Sequence, residues 1–242
     1  MSNILLTTIV RNEARYLDRW YDQIKAIVSH FRSEHSFNLS VFENDSDDGS
    51  ASKLATFDWG DLPRSITTAR LGSPYFVGGK HPFRTQLLAD ARNRAIFGFP
   101  MLANMDWVLS IEPDIQFDVE VVDRLINHER HYGRRFDIFT GKSVHPGTVR
   151  LYDSWGTRKT VGQTDWAEAD STENGLEPLW STFNCLALYR ADAIRQGHTF
   201  GGVNPRTSQP DCDTVVICER FRQAGFNEIY WDTSLTVAHN CE

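Results

Sequence analysis

The sequence predicts an α/β protein with a mostly parallel sheet flanked by helices. Short apolar runs rich in β-branched residues alternate with amphipathic helical patterns through the first half of the chain. Polar and acidic residues directly follow several of these runs. The second half is less regular, and no internal repeat divides it from the first. An alternating β-α-β-α order favours a parallel sheet with helices on both faces, here in a single domain over residues 1–242.

The first half carries the regular alternation. Residues 4–10 are apolar on both faces, which is typical of a buried parallel strand. The predicted helix over residues 13–31 has an apolar stripe at three- and four-residue spacing, formed by Leu17, Trp20, Ile24, Ile27 and Phe31. The remaining elements of this half are strands over 39–43, 65–70 and 107–111, and helices over 50–56 and 84–97.

The second half has fewer clear elements. A polar loop that contains Trp155, Trp166 and Trp180 interrupts it, and Asp211 and Asp213 open its last helix. The predicted elements are helices over 119–131 and 213–225, and strands over 136–141, 149–152, 184–189 and 229–237.

Composition excludes several classes of function. The net charge is −7, which argues against a nucleic-acid partner because phosphate binding requires a basic face. The four cysteines form no C-x-x-C pair, so we expect reduced thiols in a cytoplasmic protein. No stretch approaches the ~20 apolar residues of a membrane helix, which leaves peripheral contact as the one expected mode of membrane association.

The residues after the strands point to a ligand site. In open parallel sheets, ligands bind outside the carboxyl ends of the strands. Glu112 and Asp114 follow a buried strand and flank one residue, so both can reach a hard divalent cation. His239 follows the last strand, and imidazole combined with carboxylates suits Mn²⁺ better than Ca²⁺. The alternative is a solvated turn with no ligand.

The order of motifs resembles the GT-A glycosyltransferases, and most of all the fungal capsule-associated α-1,3-mannosyltransferase group, glycosyltransferase family 69. The pieces that carry the resemblance are Arg11-Asn12-Glu13, the run from Phe42 to Ser50, Leu88-Ala89-Asp90-Ala91-Arg92-Asn93-Arg94-Ala95, Tyr152-Asp153-Ser154-Trp155, Phe183-Asn184-Cys185, and Cys212-Asp213. They extend over nearly the whole chain.

The resemblance implies a metal-dependent glycosyltransferase that moves a hexose from a nucleotide-sugar, such as mannose from GDP-mannose, to a glycan or lipid-linked acceptor. Residues 1–115 would form the nucleotide-sugar-binding half and residues 116–242 the acceptor-binding half. The donor-binding residues it implies are Thr8, Arg11, Glu43, Asn44, Arg84, Asn93 and Glu112. It assigns Mn²⁺ or Mg²⁺ to Asp114, Glu112 and His239, although Glu112 replaces the usual first aspartate and could bind through water or contact the ribose.

The resemblance also implies a catalytic group formed by Asp213, Asp211 and Arg92. Asp213 would be the general base if the reaction inverts configuration. It would orient sugar or acceptor if the reaction retains configuration, as the family implies. One of the two aspartates could instead cap the helix, and Arg92 could simply pair with an acid. Trp155 and Asn184 are the expected acceptor-binding residues.

Two other functions compete with this prediction. A nucleotidyltransferase would normally carry a Gly-rich basic loop after the first strand, and residues 7–13 lack one. A non-catalytic glycan-binding module would not require Asp114, Asp213 and His239 at three separate element ends. The sugar, the choice between GDP and UDP, the acceptor, the stereochemistry and the oligomeric state stay open.

Overall fold

A computed structural model describes residues 1–76, 80–164 and 175–239. Within these ranges the chain forms a nine-stranded sheet with helices on both faces. The strands are β1 (Ser2–Val10), β2 (His35–Asn44), β3 (Arg64–Ala69), β4 (Trp107–Ile111), β5 (Ile115–Gln116), β6 (Ile138–Val144), β7 (Leu176–Pro178), β8 (Leu186–Arg190) and β9 (Ile229–His239). The helices are α1 (Leu17–Phe31), α2 (Ser50–Leu54), α3 (Pro82–Phe97), α4 (Val119–Ile126), α5 (His128–Tyr132), α6 (Ala191–Arg195) and α7 (Asp213–Gln223).

The sheet confirms the predicted α/β class and has two differently built halves. Its order is β3-β2-β1-β4-β8-β6-β9-β5, and β7 also pairs with β9. The first four strands in this order are parallel. In the second half β8 runs antiparallel to β4 and β6, and β5 and β7 run antiparallel to β9, while β6 and β9 are parallel. The parallel arrangement therefore holds for the first half, and the whole sheet is mixed.

The hydrophobic core lies on both faces of the sheet. Ile4 and Leu6 of β1 pack in the cluster that contains the stripe of α1, whereas Leu5 packs in the cluster that contains residues of α3 and α7. Successive side chains of a strand point to opposite faces, so a strand buried on both sides must be apolar throughout. This is why residues 4–10 lack the alternation of a half-exposed strand.

Some elements differ from the predicted bounds for local reasons. The helix predicted from residue 13 begins at Leu17, because the amides of Asn12 and Ala14 bond to Ser46 and Asp48 and are held in a loop. The helix predicted over 119–131 divides at Asn127 into α4 and α5. The strand predicted over 149–152 is reduced to one bridge between Leu151 and Val144.

Two short strands were not predicted, and two residues considered above lie outside the described ranges. β5 and β7 have two and three residues, too few to show a periodic pattern, and were not predicted. Trp166 and Cys241 lie outside the described residues. Among the described helices, none combines the length and the apolar character that crossing a bilayer requires.

Candidate functional site

A cleft with two adjoining pockets lies at the carboxyl ends of β1, β2 and β4. The first, here called the β1 pocket, encloses about 230 Å³, and its lining includes Arg11, Glu13, Asn44, Pro74, Tyr75, Phe76, Asp114 and His239. The second, called the α7 pocket, encloses about 290 Å³, and its lining includes Arg92, Asp153, Ser154, Trp155, Phe183, Cys185, Cys212, Asp213 and Thr214. The two pockets share Arg84, Leu88, Glu112 and Tyr152. Groups bound in the two pockets would therefore meet near these shared residues.

Two motifs form the floor of the β1 pocket by bonding to each other. The register of β1 and β2 pairs Val10 with Glu43, so the loops after both strands begin side by side. The Asn12 amide donates to Ser46 Oγ at 3.0 Å, and the Glu13 amide donates to Ser50 Oγ at 2.9 Å. Asn12 has φ of 59°, a left-handed conformation that asparagine tolerates better than most residues. These bonds fix the backbone from which Glu13 lines the pocket.

Asp45 holds the segment that leads into one wall of the β1 pocket, which Pro74, Tyr75 and Phe76 line. Its carboxylate accepts the amides of Leu71, Gly72 and Ser73 at 2.7–3.1 Å and also a bond from Asn44. Burial raises the pKa of Asp45, but the bonds from Asn44 and the three amides outweigh burial and lower the pKa well below its ordinary value. Asp45 is thus a charged anchor for residues 71–73.

Arg11 fixes the start of this wall. Its guanidinium donates to the carbonyls of Ser73 at 2.6 Å and Pro74 at 3.1 Å, and it lies 5.5 Å from the centre of the Tyr75 ring. Tyr75 is 66% exposed, which leaves the ring accessible to a planar ligand. The arrangement offers a cation and an aromatic ring at the mouth of the β1 pocket.

A group of metal-ligand side chains lies between the two pockets. One donor atom each from Glu112, Cys185 and His239 lie within 4.8 Å of one another. The pairing of Ile115 with His239 brings the end of β9 beside the turn after β4. His239 Nε2 lies 2.8 Å from Asp114 Oδ2, and the Tyr152 ring stacks on the imidazole at 3.5 Å.

These residues fit a divalent cation on two observations. Asp114 Oδ1 is buried and has no hydrogen-bond partner among the described residues, so an oxygen ligand is available. In addition, the pKa of Glu13 is raised to about 8, first by burial and then by the charges of Asp114 and Glu112. A cation would offset this concentration of negative charge. Carboxylate oxygens suit Mn²⁺ or Mg²⁺, and their combination with an imidazole favours Mn²⁺.

A buried arginine connects the metal-ligand group to the α7 pocket. Arg92 donates to Glu112 Oε1 at 2.7 Å and to Asp213 Oδ2 at 2.9 Å, and its side chain is 6% exposed. Burial lowers the pKa of Arg92, but the charges of Asp213 and Glu112 raise it above the ordinary value, so the guanidinium stays charged. The Phe183 ring lies 4.2 Å from the guanidinium carbon.

Asp153 closes the other side of the α7 pocket. Its carboxylate accepts the amides of Gly156 at 3.1 Å and Asn184 at 3.0 Å. Burial raises its pKa more strongly than these two bonds lower it. Trp155 is half-buried and lines the same pocket. The α7 pocket thus presents carboxyl groups beside aromatic surface, which suits a sugar with polar edges and an apolar face.

The cleft gathers most of the side chains that the sequence singled out. Those that line it are Arg11, Asn44, Arg84, Arg92, Glu112, Asp114, Trp155, Asp213 and His239. Three predicted donor-binding residues do not line either pocket. Thr8 Oγ1 accepts a bond from the Trp20 indole at 3.2 Å, Glu43 Oε1 accepts the Ser46 amide at 3.0 Å, and Asn93 exchanges bonds with the backbone of Phe200.

Asn184 and Asp211 also lie outside the pocket linings. Asn184 is fully buried, and its amide group bonds to Ser143, Thr157 and Thr182. Asp211 pairs with Arg158 and accepts a bond from Asn204. Burial raises the pKa of Asp211, but these bonds outweigh it and lower the pKa. The ligand-binding and catalytic roles assigned to these five residues stay predictions.

Several cleft residues had no predicted role. Glu13 lies in the Arg11-Asn12-Glu13 motif directly after β1, and this position after a strand could have indicated that Glu13 lines the cleft. Tyr152, Asp153 and Cys185 also lie in highlighted motifs. Tyr75 is in a loop with no periodic pattern, so nothing in the sequence indicated that its ring faces the pocket.

Comparisons with known proteins give one family match and several structural matches. The model of the family described as cryptococcal mannosyltransferase 1 matches residues 3–200. TarS residues 1–349 from S. aureus superpose with a TM-score of 0.61 at 12% identity, over 99% of this chain and 60% of that one. The mannosyltransferase PcManGT from Pyrobaculum calidifontis, solved with GDP-Man and Mn²⁺, superposes with a TM-score of 0.60 at 12% identity, over 100% of this chain and 57% of that one.

These likenesses show a GT-A fold. TarS has also been solved with UDP-GlcNAc, and that structure superposes with a TM-score of 0.61 at 11% identity, over 100% of this chain and 59% of that one. No curated protein sequence matches significantly. The chain spans 57–60% of the length of these three solved structures.

Proposed function

Because the chain belongs to the cryptococcal mannosyltransferase 1 family, we propose that it transfers mannose from GDP-mannose to a glycan or lipid-linked acceptor, with a divalent cation and with retention of configuration. The family match supports sugar transfer, and two structural neighbours solved with UDP-GlcNAc and with GDP-Man support a nucleotide-sugar donor. Donor identity, metal, stereochemistry and acceptor are the proposed parts.

The observation that carries the proposal is the junction of the two pockets. Arg84 and Glu112 line both, so a donor in the β1 pocket and an acceptor in the α7 pocket would meet beside them. A transferase requires two substrates in contact at one point, because positioning them is a large part of its rate enhancement. A binding module needs only one pocket.

The β1 pocket suits the nucleoside diphosphate part of the donor. Tyr75 offers an exposed ring for stacking on the base, with the Arg11 guanidinium close to that ring. The Arg84 guanidinium at the pocket junction can face the diphosphate in a planar, two-pronged contact that lysine could not make. Asp45 and Arg11 hold the backbone that leads to Tyr75.

Asp114, His239 and Glu112 are the residues that would hold the cation. A divalent ion there supplies Lewis-acid stabilisation of the charge that develops on the departing nucleoside diphosphate. Tyr152 keeps the His239 ring in position by stacking on it. Arg92, bonded to Glu112, limits how far that carboxylate can move toward the cation.

Asp213 is the proposed acceptor-side residue of the reaction. Its Oδ2 already accepts the bond from Arg92, while Oδ1 faces the Cys212 thiol 3.9 Å away at the pocket surface. A carboxylate held in this way can accept a hydrogen bond from a sugar hydroxyl and fix its orientation. We therefore assign Asp213 to orienting the substrate, in keeping with a retaining reaction.

The experiment is a screen of GDP- and UDP-sugars for Mn²⁺-dependent donor hydrolysis, which needs no known acceptor. We expect turnover of GDP-mannose that is lost in EDTA. Asp114→Asn and His239→Ala should each lower it by about a hundredfold, the scale of a lost contact to transition-state charge. Asp118→Asn is the matched control, since Asp118 precedes α4 and lies outside both pocket linings.

The outcomes separate the alternatives. Turnover of a UDP-sugar instead would keep the glycosyltransferase and correct the donor. Full turnover in EDTA would remove the metal from the proposal. Binding of a glycan with no turnover of any nucleotide-sugar, in folded protein, would favour the binding module.

A further inference from the structure

The metal-ligand group contains a thiol among harder donors. Cys185 is 2% exposed, lines the α7 pocket, and places Sγ within 4.8 Å of the donor atoms of Glu112 and His239. Magnesium and manganese prefer oxygen ligands, whereas zinc and cadmium bind thiolates strongly. The thiol is therefore not explained by the proposed hard cation.

The backbone that presents this thiol is strained and firmly held. Asn184 and Cys185 have φ of 51° and 62°, two consecutive left-handed residues without a glycine. Such conformations cost free energy and persist only where the surroundings enforce them, often at functional sites. Here the side-chain oxygen of Asn184 accepts two bonds from Ser143 at 2.9 Å, and the backbone N–H of Asn184 donates to Asp153 at 3.0 Å. This network sets the position of Cys185 just before β8.

We propose that Cys185 is an additional ligand that makes this site bind thiophilic divalent ions, Zn²⁺ and Cd²⁺, more tightly than Mn²⁺ or Mg²⁺. The inference rests on the proposed function, because it concerns the same cation site. On binding, the Cys185 S–H bond breaks, its proton passes to solvent, and Sγ bonds to the ion, with no change in oxidation state. Zn²⁺ at the site would exclude the hard cation and inhibit transfer.

Two other buried thiols provide controls within the described residues. Cys218 Sγ donates to the Thr182 carbonyl, and Cys212 Sγ lies 3.2 Å from Thr214 Oγ1. Neither belongs to the group around His239. The remaining thiol, Cys241, follows His239 by two positions and is removed by working in a Cys241→Ser background.

The experiment titrates metal-free Cys241→Ser protein with Cd²⁺ and follows the ultraviolet thiolate-to-cadmium charge-transfer band. We expect one equivalent of Cd²⁺ to saturate the band. Adding Cys185→Ser should abolish it and weaken Cd²⁺ binding at least about tenfold, with a much smaller effect on Mn²⁺ binding. Adding Cys218→Ser should leave band and affinity unchanged. A thermal melt of each variant establishes that it is folded.

A band that persists in Cys185→Ser, or that Cys218→Ser removes equally, would overturn the inference. If Cys185→Ser does not fold, cadmium NMR of the Cys241→Ser protein tests the same contact: the downfield shift of a sulfur-bound ion supports it, and the shift of an all-oxygen-and-nitrogen site refutes it. The test is separable from the proposed function. Mn²⁺-dependent turnover without a cadmium–sulfur contact would refute only the thiol ligand, and the contact without metal-dependent turnover would refute only the proposed metal chemistry.

Discussion

The β1 pocket and the α7 pocket adjoin each other but are built in different ways. The β1 pocket stands at the ends of parallel strands, and short loops that follow β1 and β2 bond to each other to form it. The α7 pocket depends on residues from distant segments, such as Arg92 from α3 and Asp213 from α7, whose carboxylate and guanidinium meet across 121 positions of sequence. The backbone of the first pocket is fixed by loops that directly follow neighbouring strands, whereas the charged groups of the second are brought together by the packing of separate helices.

This difference has a consequence for how the two pockets tolerate substitution. In the β1 pocket the exposed ring of Tyr75 and the carboxyl of Glu13 line the cavity, so substituting them should affect nucleotide binding more than folding. In the α7 pocket Arg92 and Asp213 are buried charges, so their roles in folding and in transfer overlap. Variants that separate these two effects test the comparison.

The largest expected effect is on stability, from Arg92→Met. The substitution leaves the buried carboxylates of Glu112 and Asp213 without their cation, which should lower the free energy of unfolding by about 3–5 kcal/mol. Urea unfolding of wild type and variant measures it. Arg124→Met, which removes an exposed pair with Glu120, is the control and should change stability little. Equal small losses of stability in both variants would mean that the buried ion pairs of Arg92 stabilise the fold no more than an exposed pair does.

Asp213 and Asp211 are the next comparison, because they are two residues apart and differ in environment. Asp213→Asn should lower turnover about a hundredfold while the protein stays folded, since Arg92 keeps Glu112 as a partner. Asp211→Asn should instead lower the free energy of unfolding by roughly 3 kcal/mol, because Arg158 loses its carboxylate. Turnover of the folded Asp211→Asn protein should stay near wild type. Steady-state kinetics beside urea melts would contradict this pattern if Asp211→Asn lost turnover without losing stability.

Tyr75→Ala tests the ligand-facing character of the β1 pocket. We expect nucleotide binding to weaken by about 1–3 kcal/mol, the usual contribution of a ring stacked on a base. The melting temperature should not change, because the ring is 66% exposed. Phe97→Ala removes a similarly exposed ring at the end of α3, outside both pocket linings, and should leave nucleotide affinity as it is.

The last comparison concerns the pH dependence that Glu13 contributes to stability. The pKa of Glu13 is raised from 4.5 to about 8 by burial and by the charges of Asp114 and Glu112. Between these two pH values the folded state therefore keeps a proton on Glu13 that the unfolded state has lost. Its contribution is fully present below pH 4.5 and is lost as pH rises through about 8. In EDTA, Glu13→Gln should therefore flatten the fall in stability between pH 5 and pH 8.5. An unchanged slope would place the carboxyl in water rather than in the pocket.

The sequence predicted the fold class and the family, and both are confirmed. It did so because apolar runs such as residues 4–10 and the α1 stripe have the period of their elements, and because the motifs after β1, β2 and β4 lie next to those strands. It could not predict the antiparallel β8, which pairs with β4 across a long sequence separation. The resemblance favoured Asp213 over Asp211 for the catalytic role, but the sequence could not show that Asp211 pairs with Arg158 and Asp213 with Arg92, because tertiary packing brings these partners together.

The left-handed pair Asn184-Cys185 was beyond sequence reasoning for a similar reason. A positive φ at a residue other than glycine is enforced by tertiary hydrogen bonds, here from Ser143 and to Asp153, and not by local preference. For Thr8, Glu43 and Asn93, position in the sequence suggested a place in the cleft that the structure does not give them. Their polar side chains stand near strand ends or on α3, but they are used for internal hydrogen bonds and do not line the cleft.

The most direct test of the central proposal is the affinity of the wild-type chain for GDP, measured by titration calorimetry with Mn²⁺ and again with EDTA. If Asp114, His239 and Glu112 hold a cation that faces the diphosphate, GDP should bind at least about tenfold more tightly with Mn²⁺, a difference of about 1.4 kcal/mol. Equal affinity in the two conditions would contradict a metal-bridged donor in the β1 pocket.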